Sequence, residues 1–377
     1  MGRPAATLAE PAPSAVYDSD PALWAIVFAG GIGSRFWPLS TPQRPKAVLR
    51  LLGDRPLVAD TIHRLAPLVP FERVLVLTSS DISDAVRAAI PEIPAHNVLI
   101  EPRPLGTAAA LAWGLDVIAK RGGGASVACA LHADLAAAFP DAFRRAVQRA
   151  AVVAQRGRAL VALGVPPTRT ETAFGYIVPG DPLDSELPAN QGGPCRALRF
   201  VEKPPLDVVV ELLSDGALWH SGIVVGRVAD LSAELFEQAK ELAGGREALA
   251  RNDLKSFAKV VRPVSIERGL LERTRNIIVQ PVECGWDDVG TWACLRRARD
   301  LDDDGNGAIG EAHFFDSTSN VVHSEDGSVV LFGCDRLLVV RLNGITFVTP
   351  LERAADLRPL LDRLPPGLRT DQTTPPP

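Results

Sequence analysis

The chain has 377 residues, enough for one large domain and a smaller one. Its 40 Lys and Arg against 45 Asp and Glu leave a net charge of −5, so no nucleic-acid or anionic-membrane partner is expected. Hydrophobic residues make up 46%, yet no apolar run approaches the roughly 18 residues that cross a bilayer.

Residues 1–22 are rich in Ala and Pro and lack the apolar segment of a signal peptide. They are expected to form a disordered extension. Short apolar runs then alternate with amphipathic stretches. Strands are expected at Ala25–Ala29, Arg73–Thr78, Asn97–Glu101, Ser126–Leu131 and Ala159–Leu163, with helices at Pro56–Leu68, Asp81–Ile90, Thr107–Lys120 and Pro140–Gln155. That rhythm predicts an α/β, Rossmann-like fold with a mainly parallel sheet flanked by helices. Further on come a hairpin around Gly175–Val178 and a strand at Arg196–Glu202. A helix at Pro205–Ser214, a strand at Gly222–Val225, a helical block from Ala229 to Arg273 and a strand at Asn276–Gln280 follow.

After Asp300-Leu-Asp-Asp-Asp-Gly-Asn-Gly307 the chain turns to short β runs broken by Gly, Asn and Asp. The reading is a catalytic domain over 23–303, a small all-β unit over 304–364 and a disordered Pro-rich tail over 365–377. The pattern does not choose between a coil and a sandwich for the β unit, which is also the candidate surface for a homodimer. Five cysteines (129, 195, 284, 294 and 334) form no C-x-x-C pair. Free buried thiols in a reducing cytoplasm are expected, not a zinc site.

The stretch Phe28-Ala-Gly-Gly-Ile-Gly-Ser-Arg-Phe-Trp-Pro-Leu-Ser-Thr-Pro-Gln-Arg-Pro-Lys46 follows the first strand. A Gly-rich loop there suits phosphate, because backbone N–H groups can approach the anion. The dehydrogenase fingerprint fits badly: its third glycine would fall on Phe36, and Pro38, Pro42 and Pro45 forbid the required helix. No Gly-Lys-Ser/Thr follows at the Walker spacing. What remains is a proline-stiffened loop carrying Arg35, Arg44 and Lys46, which are either fixed cations for a triphosphate or solvated surface charges. Thr107 is suited to cap the helix that follows it. Asp134, at a strand's C-terminal edge, stands where α/β sheets bind ligands, or simply caps a turn.

Gly30-Gly-x-Gly-x-Arg35-x-x-Pro-Leu-Ser40 followed by Pro45-Lys46 resembles the signature of the sugar nucleotidyltransferases, the nucleoside-diphosphate-sugar pyrophosphorylases. Trp37-Pro-Leu-Ser40 resembles their mannose-1-phosphate guanylyltransferase branch. The likeness implies the nucleotide-diphospho-sugar transferase fold. It implies a loop of Gly30, Gly31, Gly33 and Ser34 around the triphosphate, with Arg35 and Lys46 as catalytic cations. Glu101-Pro-x-x-x-x-Thr107-Ala resembles the family's base-side segment, with Gly106 and Ala109 where Asn and Pro are usual. By the same resemblance Asp134, and Asp288 in Gly285-Trp-Asp-Asp-Val-Gly-Thr-Trp292, would hold Mg²⁺; Asp287 falls on the family's Ser. Phe200-Val-Glu-Lys-Pro204 matches the family word for word and implies that Glu202 meets sugar hydroxyls and Lys203 the sugar phosphate. Thr172-Ala-Phe-Gly175-Tyr-Ile177 implies close approach to the sugar at Gly175. Trp219-His-Ser-Gly222-Ile223 puts His220 where the family's sugar-touching Asn stands.

The implied reaction takes GMP from GTP to mannose 1-phosphate by Mg-assisted in-line attack and releases pyrophosphate. Two alternatives stay open. One is another pairing, dTTP or UTP with glucose 1-phosphate. The other is an inactive, nucleotide-sugar-binding regulatory subunit.

Overall fold

Every residue of Leu23–Phe28 (β1) is buried, as a strand covered by helices on both faces must be. In the computed structural model the described residues are 22–31, 33–41, 43–183, 192–292, 294–295, 301–355 and 357–369. The expected leading extension, up to residue 21, and the tail from residue 370 lie outside them.

From β1 the chain runs through α1 (Leu57–Leu65), β2 (Val74–Ser79), α2 (Ser83–Ala89), β3 (Val98–Glu101), α3 (Thr107–Gly122) and β4 (Val127–His132). A short β5 (Leu135–Ala137), then α4 (Pro140–Gly157), β6 (Leu160–Val165), β7 (Gly175–Pro182) and β8 (Cys195–Glu202) follow. Next come α5 (Leu206–Ser214), β9 (Leu218–Arg227), α6 (Val228–Gln238), α7 (Gly245–Ala250), α8 (Leu254–Val260), a π turn (Glu267–Leu271), β10 (Ile277–Pro281) and β11 (Trp286–Asp288). The single helical block expected from Ala229 to Arg273 is thus three helices, a 3-10 turn (Lys240–Leu242) and a π turn.

The nine-stranded sheet has the order β3-β2-β1-β4-β9-β6-β10-β8-β7. The parallel pairings are β3-β2, β2-β1, β1-β4 and β6-β10. β9 enters antiparallel between β4 and β6, and β8 with β7 forms an antiparallel edge. The α/β expectation holds, with its parallel character concentrated in β3-β2-β1-β4. From β1 the chain winds outward to β2 and β3, then returns to β4 on the other side. A crevice opens beyond the carboxyl ends of strands at such a reversal.

The chain after residue 304 forms a coil of parallel rungs. β12 (Gly307–Ile309), β14 (Val321–Ser324) and β16 (Leu337–Leu342) stack parallel on one face, with β17 (Ile345–Pro350) antiparallel at the end. β13 (Ala312–Phe315) and β15 (Val329–Phe332) stack parallel on the other. Stacked asparagines hold the turns: Asn320 Nδ2 donates to Asn306 Oδ1 at 2.9 Å, and Asn306 Nδ2 donates to the Ser317 carbonyl at 2.9 Å. This settles the coil-or-sandwich choice.

The coil is not a separate bead. Val321, Leu338, Val340 and Leu342 share one apolar cluster with Phe36, Leu39, Leu49, Leu51 and Trp292 of the α/β part. Trp37 packs edge-on to Phe347 at 5.3 Å, and its Nε1 donates to the Leu368 carbonyl at 3.1 Å. Leu368 belongs to a helical turn, Pro366–Arg369, so the stretch expected to be a loose tail from 365 begins docked on the loop.

Candidate active site

Physical chemistry explains the loop after β1 residue by residue. Gly33 has φ +77°, the left-handed region that glycine enters without strain. A Cβ on it would lie 2.3 Å from Lys46 Cβ, so the glycine makes room for the lysine. Ser40 Oγ donates to the Gly33 carbonyl at 2.5 Å and closes the turn. Lys46 opens a short 3-10 turn, Lys46–Val48, and is buried. Its Nζ donates to Asp134 Oδ2 at 2.5 Å and lies 5.3 Å from the Phe36 ring centroid.

Asp134 follows β4, and Asp288 ends β11. They come together because β5 and β11 form a two-stranded antiparallel ribbon in which Asp288 stands opposite Leu135, the neighbour of Asp134. Burial pushes the Asp134 carboxyl up, but Lys46 and then His132 outweigh it and leave it below its usual range. Asp288 stays above its usual range: burial raises it, Lys46 only partly offsets that, and the Asp134 carboxylate adds to the rise. Arg35 Nη1 reaches the Gly290 carbonyl at 3.4 Å, on the same side.

A cavity of about 610 Å³ opens here. Gly30, Gly31, Gly33, Ser34, Arg35, Lys46, Glu101, Thr107, Asp134 and Asp288 all line it, so every nucleotide, catalytic and metal candidate from the sequence faces one space. Glu101 is buried, and its Oε1 has no hydrogen-bond partner. Burial pushes its carboxyl up to about 7, against a backbone hydrogen bond from Leu105.

Two expectations need correcting. Thr107 does not cap α3: Gly106 holds that position, and Thr107 Oγ1 instead accepts from the Ile266 N–H at 3.0 Å. Gly106 itself has φ +80°, and a Cβ there would lie 2.5 Å from the Val264 carbonyl oxygen, which leaves no room for the family's Asn. Arg44 does not line the cavity. It makes a two-pronged ion pair with Glu325 of the coil, at 2.9 and 2.6 Å. A planar guanidinium matches a carboxylate in this way.

The four sugar-side candidates gather in a second cluster. A Cβ on Gly175 would lie 2.8 Å from Phe200, 2.9 Å from Glu202 Oε2 and 3.4 Å from His220 Cβ. Lys203 Nζ is 3.2 Å from Glu202 Oε1, and Lys203 has φ +51°. His220 is buried with neither ring nitrogen hydrogen-bonded. Burial pushes it down to about 4, against the pull of Glu267, so it is neutral at pH 7.

Two residues missed in the sequence complete the cluster. Glu267 Oε1 lies 4.0 Å from His220 Nε2 and sits on the π turn, a helix defect that often marks functional sites. His132 lines the glycine-loop cavity and interacts electrostatically with both His220 and Glu267, so it joins the two clusters. His132 stood in the quoted Leu131-His-Ala-Asp134 segment. Glu267 lay in a stretch read only as helix.

Among the described residues no group of three or more His, Cys, Asp and Glu is gathered as a metal cage. The pair Asp134 and Asp288 still fits Mg²⁺, which takes one or two carboxylates and fills its shell with phosphate oxygens and water.

Residues 24–304 match the family model described as "Nucleotidyl transferase". The chain belongs to the nucleotidyl transferase family. Within that family, it is 30% identical over 361 residues to a mannose-1-phosphate guanylyltransferase of Sinorhizobium fredii, covering 92% of this chain and 69% of the relative. It is 28% identical to the mannose-1-phosphate guanylyltransferase of Salmonella muenchen, over 92% of this chain and 74% of that one. The crystal structure of a Thermus thermophilus protein named mannose-1-phosphate geranyltransferase superposes with a TM-score of 0.80 at 32% identity. It covers 91% of this chain and 99% of that one.

Proposed function

We propose that this nucleotidyl transferase moves GMP from GTP to mannose 1-phosphate, giving GDP-mannose and pyrophosphate. The observation that carries the reading is the convergence of Lys46, Asp134 and Asp288 on a glycine-loop cavity in a chain akin to mannose-1-phosphate guanylyltransferases.

A phosphate oxygen of the sugar phosphate attacks the α-phosphorus. The bond from that phosphorus to the bridging oxygen breaks, and pyrophosphate departs with the electron pair. No covalent enzyme intermediate is needed, so catalysis is positioning and charge stabilisation. Lys46 and Arg35 neutralise the triphosphate, and Lys46 exchanges Asp134 for a phosphate oxygen when nucleotide enters. Lys203 receives the attacking phosphate. Asp134 and Asp288 would hold Mg²⁺, which would supply positive charge to offset the negative charge developing on the phosphates. Glu101 supports guanine as the base: a carboxylate accepts from two adjacent donors, and guanine presents N1–H beside N2–H₂. Glu202, His220 and Glu267 form an acceptor-rich wall for sugar hydroxyls. The five cysteines, none of them in a disulfide, support a reducing, cytoplasmic setting.

The test offers four nucleoside triphosphates and several sugar 1-phosphates, with Mg²⁺, to purified protein and scores pyrophosphate. GTP with mannose 1-phosphate should give the highest kcat/KM. Preference for dTTP or UTP with glucose 1-phosphate would replace the reading by the neighbouring specificity. Binding without turnover on any pair would point to a regulatory subunit.

A further inference from the structure

Arg169 precedes β7 in a segment that carries no regular structure, and it makes more specific contacts than a surface arginine needs. Its guanidinium carbon lies 4.7 Å from the Trp219 ring centroid and 5.6 Å from that of Phe174. Its Nη2 donates to Asp287 Oδ1 at 3.3 Å, and its Nε lies 3.6 Å from Glu171. The rings beneath it form one cluster: Phe174 meets Trp219 edge-on at 5.2 Å and Trp286 at 5.4 Å. The segment is pinned as well, since Tyr176 Oη donates to the Glu171 carbonyl at 2.7 Å and accepts from Trp219 Nε1 at 3.0 Å.

The neighbours of these contacts give the arrangement its meaning. Phe174 precedes Gly175, Trp219 precedes His220, and Asp287 precedes Asp288. Arg169 therefore touches, one residue removed, both the sugar-side cluster and the ribbon that carries Asp288. A guanidinium suits this position because it stacks on aromatic faces while its edge donates to a carboxylate. Asp287 and Asp288 point to opposite faces of a strand. Holding Asp287 from the opposite face thus fixes the ribbon with Asp288 turned toward Lys46.

We infer that Arg169 is a positioning residue: it ties the sugar-side wall to the β5-β11 ribbon and so sets the carboxylate pair, Asp134 and Asp288, at the spacing a divalent cation needs. The inference rests on the metal role of that pair in the proposed function. It adds that occupation of the sugar side and of the metal side are linked through one side chain.

The experiment measures Mn²⁺ alone, by the loss of its free-ion electron paramagnetic resonance signal on titration with protein. Wild type is compared with Arg169→Leu, Arg169→Lys, Asp287→Asn and the double variant Arg169→Leu/Asp287→Asn. Steady-state kinetics with GTP and mannose 1-phosphate run alongside. Arg169→Leu should weaken Mn²⁺ by up to about tenfold, the low end of the loss when a group bonded directly to a metal ligand is removed. It should also raise the KM for mannose 1-phosphate severalfold and leave the KM for GTP within about twofold. Arg169→Lys, which keeps the charge and loses the stacking face, should recover part of the Mn²⁺ affinity. Asp287→Asn should reproduce the Mn²⁺ loss, and the double variant should lose no more than the worse single change.

Unchanged Mn²⁺ affinity in Arg169→Leu overturns the inference, as do losses that multiply in the double variant. Absence of Mn²⁺ binding in wild type overturns it too. If Arg169→Leu fails to fold, Arg169→Lys and Asp287→Asn decide. A wild type that binds Mn²⁺ but turns over no substrate pair would defeat the proposed reaction and leave this comparison standing.

Discussion

At Glu101 the proposed base preference and a pH dependence rest on one side chain. Its carboxyl is buried at the end of β3, has an open acceptor and is pushed up to about 7. In the empty protein this raised value means stability that is complete below the unfolded value of about 4.5 and lost as pH rises through about 7. Guanine should bind the ionised form, so GTP affinity should rise as pH climbs through about 7. Calorimetric titration from pH 5.5 to 8.5 checks this. Glu101→Gln should abolish that dependence and weaken GTP roughly tenfold or more, because an amide places one donor against guanine's donors. An unaltered pH profile in the variant would remove Glu101 from base recognition. The Gly-rich loop and the Glu-Pro segment were legible in the sequence because each is a local string. The open acceptor was not, because burial depends on what the fold packs around it.

At the scale of elements, the site is two close fits. The loop after β1 works because Gly33 admits the Lys46 side chain. Gly33→Ala should force the lysine aside and lower kcat by roughly 10²-fold, the scale of an ångström-sized misplacement, while circular dichroism stays native. Retained kcat would show that the ammonium does not act from this seat. The other fit is the β5-β11 ribbon. Alternating apolar runs made the parallel strands and their helices readable nearly to the residue, and the motifs made Asp134 and Asp288 readable as candidates. The ribbon that joins them has only three residues on each side and no periodicity to detect. Likewise β9 was visible only in its middle, Gly222–Val225, although it extends from Leu218 to Arg227. Its antiparallel insertion follows from packing between distant segments, which no window of residues encodes. The π turn that presents Glu267 is hidden for the same reason: its sequence looks like helix.

Across the whole molecule, the coil and the α/β part share an apolar cluster that includes residues of the glycine-rich loop after β1. Arg44, clamped by Glu325, fastens the loop's outer side to the same coil. A shared core predicts one cooperative thermal transition. Leu338→Ala, at a fully buried coil position, should destabilise that single transition by about 2–5 kcal/mol. Scanning calorimetry that resolves two peaks, only one of them moved, would show the two parts to be independent.

The coil's ends carry a further consequence. Stacked parallel rungs are a natural template for indefinite growth, since each exposed rim offers free N–H and C=O groups to another chain. On the face of β12, β14 and β16 the starting rim is β12, a strand of three residues, and the finishing rim is β17, which runs against the rungs before it. A newcomer aligned with the stack meets too short a ledge at one side and a reversed one at the other. That face thus has the stiffness of stacked fibril rungs without a matching edge for the next one.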